Sequence, residues 1–202
     1  MIKIGLTGNM TTGKTLALTK LKSLGVKTLD LDEYSKKICQ SAEIKDLLQE
    51  RFSYHVFYPN GQVNLSKLQQ IIASDDYYRF WWHKLLVNQL NSFLPLWLFG
   101  QQKQGVPLVV VAFALIIEAN WQHHFDEVWL IYSTKQAILE RVQAREKIDL
   151  ELASQLLATQ MSDQKKRPLV QAIINNYGTI PQLEEAVGDF LATHFGDKNY
   201  AC

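Results

Sequence analysis

The sequence predicts an α/β protein in three layers, with a five-stranded parallel sheet between two layers of helices. Short runs of β-branched and other apolar residues alternate with longer stretches of helical periodicity, a pattern typical of strands joined by crossover helices. One run, residues 109–113, is continuously apolar, as expected of a strand buried on both faces. The chain of 202 residues suits a single domain, 1–202, with a small insertion.

The five predicted strands are separated by helical segments of different lengths. The first helix is expected over residues 16–24, and Gly25 is suited to end it because helices commonly end at glycine. Residues 40–104 are too many for a simple crossover and predict a helical insertion, with its last helix disturbed near Pro95. The strands are expected at residues 2–7, 26–30, 107–113, 127–132 and 172–174.

Residues 8–15 read Gly-Asn-Met-Thr-Thr-Gly-Lys-Thr and match the phosphate-loop pattern G-x-x-x-x-G-K-[ST]. The pattern lies between a predicted strand and a predicted helix, which is the context that it requires. Backbone N–H groups of such a loop attract phosphate oxygens; Lys14 would add a charge and Thr15 a hydroxyl for Mg²⁺. The residues expected to bind a nucleoside triphosphate are Asn9, Met10, Thr11, Thr12, Gly13, Lys14 and Thr15.

Asp30 and Asp32 follow the second predicted strand. Ligands of open parallel sheets bind beyond the carboxyl ends of the strands, so both carboxylates are expected beside the phosphate loop. One of them could accept the proton of an attacking hydroxyl while the other orders Mg²⁺ through water. Aspartate is also favoured as the N-cap of a following helix. Spacing alone leaves both interpretations open.

Arg141 and Arg145 share one face of the helix predicted over residues 136–145. Two such guanidiniums are commonly solvated, but in a phosphotransferase they also stabilise charge on the transferring phosphoryl group. The charged stretch that follows ends in the basic cluster 165–167, which is typical of a solvated face. The alternative is a lid that excludes water during phosphoryl transfer, assigned to about residues 141–168.

Composition argues against several classes of protein. With 21 basic and 20 acidic residues, the bulk charge predicts no nucleic-acid or anionic-membrane partner. The two cysteines, Cys39 and Cys202, are far apart, and no cysteine or histidine has metal-ligand spacing, which argues against a disulfide framework or a structural zinc site. Without a signal-peptide pattern or a membrane-length apolar stretch, we expect a cytoplasmic protein, either a monomer or a small homo-oligomer.

These motifs, taken together and in order, resemble the dephospho-coenzyme A kinase family. The resemblance spans nearly the whole chain. The phosphate loop is shared with many kinases, whereas the Asp-x-Asp sequence and the C-terminal Asn-x-Gly turn are more specific. The matching positions are the phosphate loop, residues 29–32, 60–64, Leu68, His83, residues 115–118, Arg141, Arg145, Gln160 and residues 174–178.

The resemblance implies a P-loop kinase fold and phosphorylation of the ribose 3′-hydroxyl of dephospho-coenzyme A, with ATP and Mg²⁺ as cofactors. It implies that Asp32 is the catalytic base and contacts the acceptor hydroxyl. Lys14 and Thr15 would hold phosphates and Mg²⁺, and Arg141 and Arg145 would bind phosphates.

The resemblance also implies where the two substrates bind. The insertion would hold the small-molecule acceptor, with His83 and Glu118 as further acceptor contacts. Asn176, in the turn after the last predicted strand, would lie near the adenine of ATP.

Several positions depart from the family pattern. The loop interior, usually Gly-Ile-Gly-Ser, is residues 9–12 here, and Thr11 places a β-branched side chain where glycine would allow positive φ, so loop geometry is expected to differ slightly. The departures keep two alternatives open: a P-loop kinase for another nucleoside- or nucleotide-like acceptor, and a nucleotide-binding homologue without catalysis. The remaining departures are Lys84, Ala112, Ala114 and Gln171.

Overall fold

The computed structural model describes residues 1–196, except for the side chain of Glu146, so Cys202 lies outside the described residues. Its sheet has the strand order β2-β3-β1-β4-β5, and all neighbouring strands are parallel. The predicted parallel sheet is confirmed, with every strand end within one residue of its predicted position. The strands are β1 (Ile2–Thr7), β2 (Lys27–Asp30), β3 (Leu108–Ala112), β4 (Glu127–Tyr132) and β5 (Ala172–Asn175).

Helices cover both faces of the sheet. The first helix begins at Lys14, two residues before its predicted start, so the phosphate-loop lysine and threonine lie in its first turn. Short 3₁₀ helices span Trp121–His124 and Arg167–Leu169. The α-helices of the described part are α1 (Lys14–Ser23), α2 (Leu31–Ile38), α3 (Ala42–Phe52), α4 (Leu65–Ser74), α5 (Asp76–Lys103), α6 (Lys135–Glu146), α7 (Leu150–Ala158), α8 (Asp163–Lys166) and α9 (Ile180–Phe195).

Strand β3 shows why the fold has three layers. Its side chains alternate between two apolar clusters: Leu108 and Val110 pack with α1 and α9, whereas Val109 and Val111 pack with the C-terminal half of α5. All four side chains are buried, which confirms the prediction from the continuous apolar run. Burial on both faces places β3 between the two layers of helices, next to the central strand β1.

Helix α5 runs unbroken through Pro95 to Lys103, so the predicted disturbance near Pro95 is wrong. Proline removes one helical hydrogen bond and crowds the preceding turn. Burial of Leu90, Leu94 and Leu98 on the face packed against the sheet offsets that cost, since each buried leucine contributes roughly 1.5–3 kcal/mol. Tertiary packing therefore overrides the local preference.

The N-terminal half of α5 belongs to a second core, formed with α3 and α4. Trp82 and Leu86 pack there against Leu48 and Leu68, so one helix joins the insertion to the sheet. Trp82 is 8% exposed, whereas Phe80, two residues earlier in the same helix, is 69% exposed. The insertion is thereby fixed beside the carboxyl edge of the sheet.

Leu94→Ala should lower the free energy of unfolding by about 2–5 kcal/mol, because it removes fully buried side-chain volume on the inner face of α5. Leu96→Ala is the matched control, since Leu96 is 72% exposed on the same helix and should change stability by less than ~0.5 kcal/mol. Urea denaturation of both variants measures the difference. Equal losses would contradict the packing described for α5.

Candidate active site

The carboxyl ends of β1, β2 and β3 open onto a cavity of about 510 Å³, within the size range of small-ligand pockets. Helices α2, α4, α5, α6 and α7 complete its walls. On the sheet side the wall includes Met10, Thr11, Gly13, Lys14, Thr15, Asp30, Asp32, Phe113 and Ala114. On the insertion side it includes Leu65, Leu68, Gln69, Ile72, Trp82, His83 and Leu86.

Two glycines give the phosphate loop its path. Gly8 has φ 143° and Gly13 has φ 106°. A Cβ atom on Gly8 would lie 2.6 Å from the carbonyl oxygen of Ile131, and one on Gly13 would lie 2.8 Å from the amide nitrogen of Asn176. The loop then leads into α1, whose first-turn N–H groups have no intrahelical acceptor and attract anions. Residues 8–13 thus form a loop between β1 and α1, as the phosphate-loop pattern predicts.

Thr11 occupies a strained position in this loop. Its φ is 58°, in the left-handed region that branched residues rarely adopt, at a cost of roughly 1–2 kcal/mol. Its hydroxyl donates to the carbonyl of Ile138 in α6 at 3.2 Å, which helps to hold this conformation. Thr11 therefore takes the positive φ that glycine would favour and fastens the loop to α6.

Lys14 and Asp32 face each other on the floor of the cavity. The ammonium group of Lys14 donates to the carbonyls of Gly8 and Asn9 at 2.8 and 3.1 Å and lies 3.5 Å from Oδ2 of Asp32. Oδ1 of Asp32 accepts the backbone N–H of Ala114 at 3.1 Å. The side chain of Asp32 remains 34% exposed, so an ordered carboxylate is accessible beside the phosphate loop.

The structure separates the roles of the two aspartates. Oδ1 of Asp30 accepts the backbone N–H of Glu33 at 3.0 Å, so Asp30 is the N-cap of α2. Its other oxygen accepts the hydroxyl of Thr15 at 3.1 Å. Asp32, in the first turn of α2, is the residue directed at Lys14. The capping interpretation thus applies to Asp30, and the role of Asp32 as a base stays a prediction.

Helix α6 brings both predicted arginines to the cavity wall. Arg141 donates to the hydroxyl of Ser133 at 3.2 Å and, at 3.5 Å, to the carbonyl of Thr11. Arg145 lies one turn further along the same wall. Ser133 was not predicted as a site residue, although its position directly after β4 was a usable signal, because strand ends meet at this edge.

The basic cluster 165–167 is not a uniformly solvated face, and that prediction is wrong for Lys166. This side chain is 0% exposed; its ammonium donates to the carbonyl of Ala114 at 2.6 Å and pairs with Oε1 of Glu118 at 3.1 Å. Lys165 and Arg167 are exposed as expected. Helix α8 has only four residues, too few for the sequence to show which face is buried.

The segment before Lys166 contacts the phosphate loop. Oδ1 of Asp163 accepts the backbone N–H of Asn9 at 3.1 Å, and the side-chain oxygen of Gln160 accepts the N–H of Met10 at 3.0 Å. The side-chain amide of Asn9, oriented to satisfy its hydrogen bonds, donates from its nitrogen to Asp163 at 3.2 Å and to the carbonyl of Met161 at 2.8 Å. Asp163 gave no signal in the sequence, because these contacts span about 150 residues of chain.

Some predicted ligand contacts lie behind the cavity wall. Asn9 and Thr12 are the buried members of the loop, and the side-chain amide of Asn176 donates to the carbonyl of Thr12 at 2.8 Å. Glu118 is engaged by Lys166 and by the N–H of Met161. These residues support the wall, and direct ligand contact by any of them stays a prediction.

His83 lines the cavity on the insertion side, as predicted for an acceptor contact. Burial lowers the pKa of His83 below its usual 6.5; Arg79 acts in the same direction and Glu118 opposes it. The imidazole is therefore neutral at pH 7 and can donate or accept a hydrogen bond. Nearby, burial raises the pKa of the Cys39 thiol to about 12, so that group is not a nucleophile.

Two further observations concern membrane insertion and metal binding. Within residues 1–196, the structure shows no helix with the length and apolar character needed to span a membrane. The same residues contain no group of three or more histidine, cysteine or acidic side chains placed to hold a metal ion by themselves.

Comparison with known sequences points to dephospho-CoA kinases. The family model described as Dephospho-CoA kinase matches residues 2–182. A dephospho-CoA kinase of Geobacter sulfurreducens is 29% identical over 193 residues, covering 95% of this chain and 98% of the relative. A dephospho-CoA kinase of Streptococcus agalactiae is 30% identical over 193 residues, covering 93% and 96%.

Solved structures agree on the fold. A Thermus thermophilus protein matches with a TM-score of 0.74 at 24% identity, covering 96% of this chain and 98% of that one. A dephospho-CoA kinase from Campylobacter jejuni matches at 0.66 and 18% identity, covering 97% and 98%. A shikimate kinase from Acinetobacter baumannii matches at 0.55 and 15%, covering 98% and 95%. These likenesses confirm the predicted P-loop kinase fold.

Asp163 should make stability depend on pH. Burial raises its pKa from 3.8 to about 6, against the opposing effects of Lys166, the Asn9 N–H and Lys14 and with a further increase from Glu118. The folded state therefore holds this proton more tightly than the unfolded chain, so the group's contribution to stability is lost as pH rises through about 6.

Asp163→Asn keeps an acceptor for the Asn9 N–H and removes this titration. The Tm of the variant relative to wild type should therefore rise between pH 4 and pH 7, as measured by thermal denaturation. Asp189→Asn, which removes an exposed carboxylate on α9, is the matched control. A Tm difference that is independent of pH for Asp163→Asn would contradict the assignment.

Proposed function

The chain belongs to the dephospho-CoA kinase family, and from this premise we propose that it transfers the γ-phosphoryl group of ATP to the ribose 3′-hydroxyl of dephospho-coenzyme A. The observation that carries the proposal is the pair on the cavity floor, where Lys14 lies 3.5 Å from an accessible carboxylate oxygen of Asp32. One cavity thus joins an anion-binding loop to a potential base. Phosphoryl transfer from a triphosphate to a hydroxyl needs both groups.

The donor half of the site is built to hold negative charge. The N–H groups of the phosphate loop and first turn of α1 would bind the phosphate oxygens of ATP, and Lys14 would neutralise charge on the transferring group. Arg141 and Arg145 reach the same cavity from α6. Their fixed guanidinium donors would bind phosphate oxygens and stabilise the charge that develops during transfer.

The oxygens around Thr15 fit a magnesium ion. Its hydroxyl and the carboxylate of Asp30 lie 3.1 Å apart at the loop, and Mg²⁺ prefers such oxygen ligands together with substrate phosphates and water. Thr15 would bind the ion, and Asp30 would hold its water ligands while capping α2. Bound Mg²⁺ supplies charge neutralisation at the phosphate oxygens.

Asp32 would accept the proton of the attacking ribose hydroxyl. The Ala114 N–H fixes one carboxylate oxygen, which restricts rotation of the group, while the other oxygen faces the cavity beside Lys14. A positioned base of this kind contributes typically 10²–10⁴-fold to rate. The same carboxylate would hold the acceptor hydroxyl in line with the γ-phosphoryl group.

The insertion, about residues 40–104, would bind the remainder of the acceptor. Its cavity wall is mostly apolar, with Leu68, Ile72 and Trp82 around the neutral imidazole of His83. Helix α7, in the proposed lid of about residues 141–168, contributes Leu156 to the same cavity. Covering the site from this side would exclude water and limit hydrolysis of ATP.

The purified protein should form ADP from MgATP in a manner that depends on dephospho-coenzyme A. A coupled ADP assay with and without this acceptor measures the effect, with nucleosides and nucleotides as alternative acceptors. Turnover restricted to another acceptor would replace the proposed substrate. Tight ATP binding with no turnover on any acceptor would support a homologue that has lost catalysis.

Asp32→Asn should lower kcat by roughly 10²–10⁴-fold with little change in the Kd for ATP, because it removes the base and leaves the phosphate loop intact. Steady-state kinetics and ATP titration measure the two quantities. Asp46→Asn, an exposed carboxylate on α3, is the matched control and should leave both unchanged. An unaltered kcat in Asp32→Asn would exclude Asp32 as the base.

A further inference from the structure

Lys166 is a buried charge whose presence needs an explanation beyond stability. Burial lowers the pKa of its ammonium group, while the ion pair with Glu118 opposes that shift. Replacing a buried ion pair by well-packed apolar side chains is often neutral or stabilising. Lys166 is 0% exposed and lies behind the cavity wall. Stability alone therefore gives no reason for a lysine at this position.

The contacts of Lys166 lead directly to the proposed base. Its ammonium donates to the carbonyl of Ala114 at 2.6 Å, and the N–H of Ala114 donates to Asp32 at 3.1 Å. Thr7, at the end of β1, donates its hydroxyl to the same carbonyl at 3.1 Å. Ala114 follows the end of β3 in a run of turns, so these hydrogen bonds, not a strand ladder, fix its backbone.

The segment that carries Lys166 also holds the phosphate loop. Gln160 and Asp163 accept the N–H groups of Met10 and Asn9. One short stretch, residues 160–166, is thereby bonded both to the loop that would bind ATP and to the residue that orients Asp32. The distance between the phosphate loop, which would bind ATP, and Asp32, the proposed base, is therefore set by this stretch as well as by the sheet.

We propose that Lys166 is a positioning residue for phosphoryl transfer, which orients the Asp32 carboxylate by holding the Ala114 backbone. The proposal rests on the proposed function, in which Asp32 is the base. Lys166 itself is fully buried behind Ala114 and does not line the cavity, so we expect it to contact neither substrate. Its effect should therefore appear in the chemical step and should disappear when Asp32 can no longer act as a base.

Lys166→Met retains the unbranched side chain up to the position of Cε and removes its charge and hydrogen bonds. We expect kcat to fall roughly 10- to 100-fold, as for a misplaced catalytic group, while the KM for ATP stays within about two-fold. Lys165→Met is the matched control, since Lys165 is the exposed neighbour in α8 and should leave both parameters unchanged. An unchanged kcat, or a fall in activity due to the KM for ATP alone, would overturn the proposal.

A double-mutant cycle with Asp32→Asn separates positioning from general damage. Adding Lys166→Met to Asp32→Asn should lower the rate by no more than about two-fold, measured in single turnovers with enzyme in excess. A full additional loss would mean that Lys166 acts independently of Asp32. An unaltered kcat in Asp32→Asn alone would remove the base and this inference together. A large effect of Asp32→Asn with none for Lys166→Met would remove only the inference.

Loss of one partner of a buried ion pair can prevent folding, because it leaves the other charge uncompensated. The double variant Lys166→Met with Glu118→Gln avoids this, since glutamine retains an acceptor for the Met161 N–H. We expect it to fold, as judged by a cooperative thermal transition, and to show the same loss of kcat relative to Glu118→Gln. A folded double variant with the kcat of Glu118→Gln would overturn the proposal.

Discussion

The register of the parallel strands around Ala112 is the constraint on which the site depends. Leu6 of β1 and Asp30 of β2 are both paired with this residue of β3, so three strands end at one level. Asp32 then accepts a hydrogen bond from Ala114 and lies 3.5 Å from Lys14 of the phosphate loop. A slip of one residue in any pair would move its chain by about 3.3 Å and turn its side chains to the opposite face.

Features specified by local pattern could be predicted from the sequence. The burial of β3 follows from the apolar run at residues 109–113, and the loop at residues 8–15 follows from glycines whose positive φ the structure requires. The shared face of Arg141 and Arg145 follows from helical spacing alone. In each case the pattern that predicts the feature lies within a few consecutive residues, although the contacts that finally hold it reach further along the chain.

The remaining features depend on contacts between distant parts of the chain. Pro95 predicts a disturbance, but the leucines packed beneath α5 offset its cost and the helix continues. Lys166 reads as solvated, and its partners Ala114 and Glu118 lie about 50 residues away. Spacing could not decide which aspartate caps α2, because that depends on the path of the chain beyond β2. No local propensity records which partner a side chain meets after folding.

The strained residue Thr11 has a consequence for how the site would close. Thr11 is bonded to α6 through Ile138 and Arg141, which ties the start of the proposed lid to the phosphate loop. Gln160 ties the far end of the lid to the same loop. A segment held at both ends samples fewer conformations than one attached at a single end. Closure over substrates would thus forfeit less conformational entropy, which costs about 1–2 kcal/mol for every residue newly ordered.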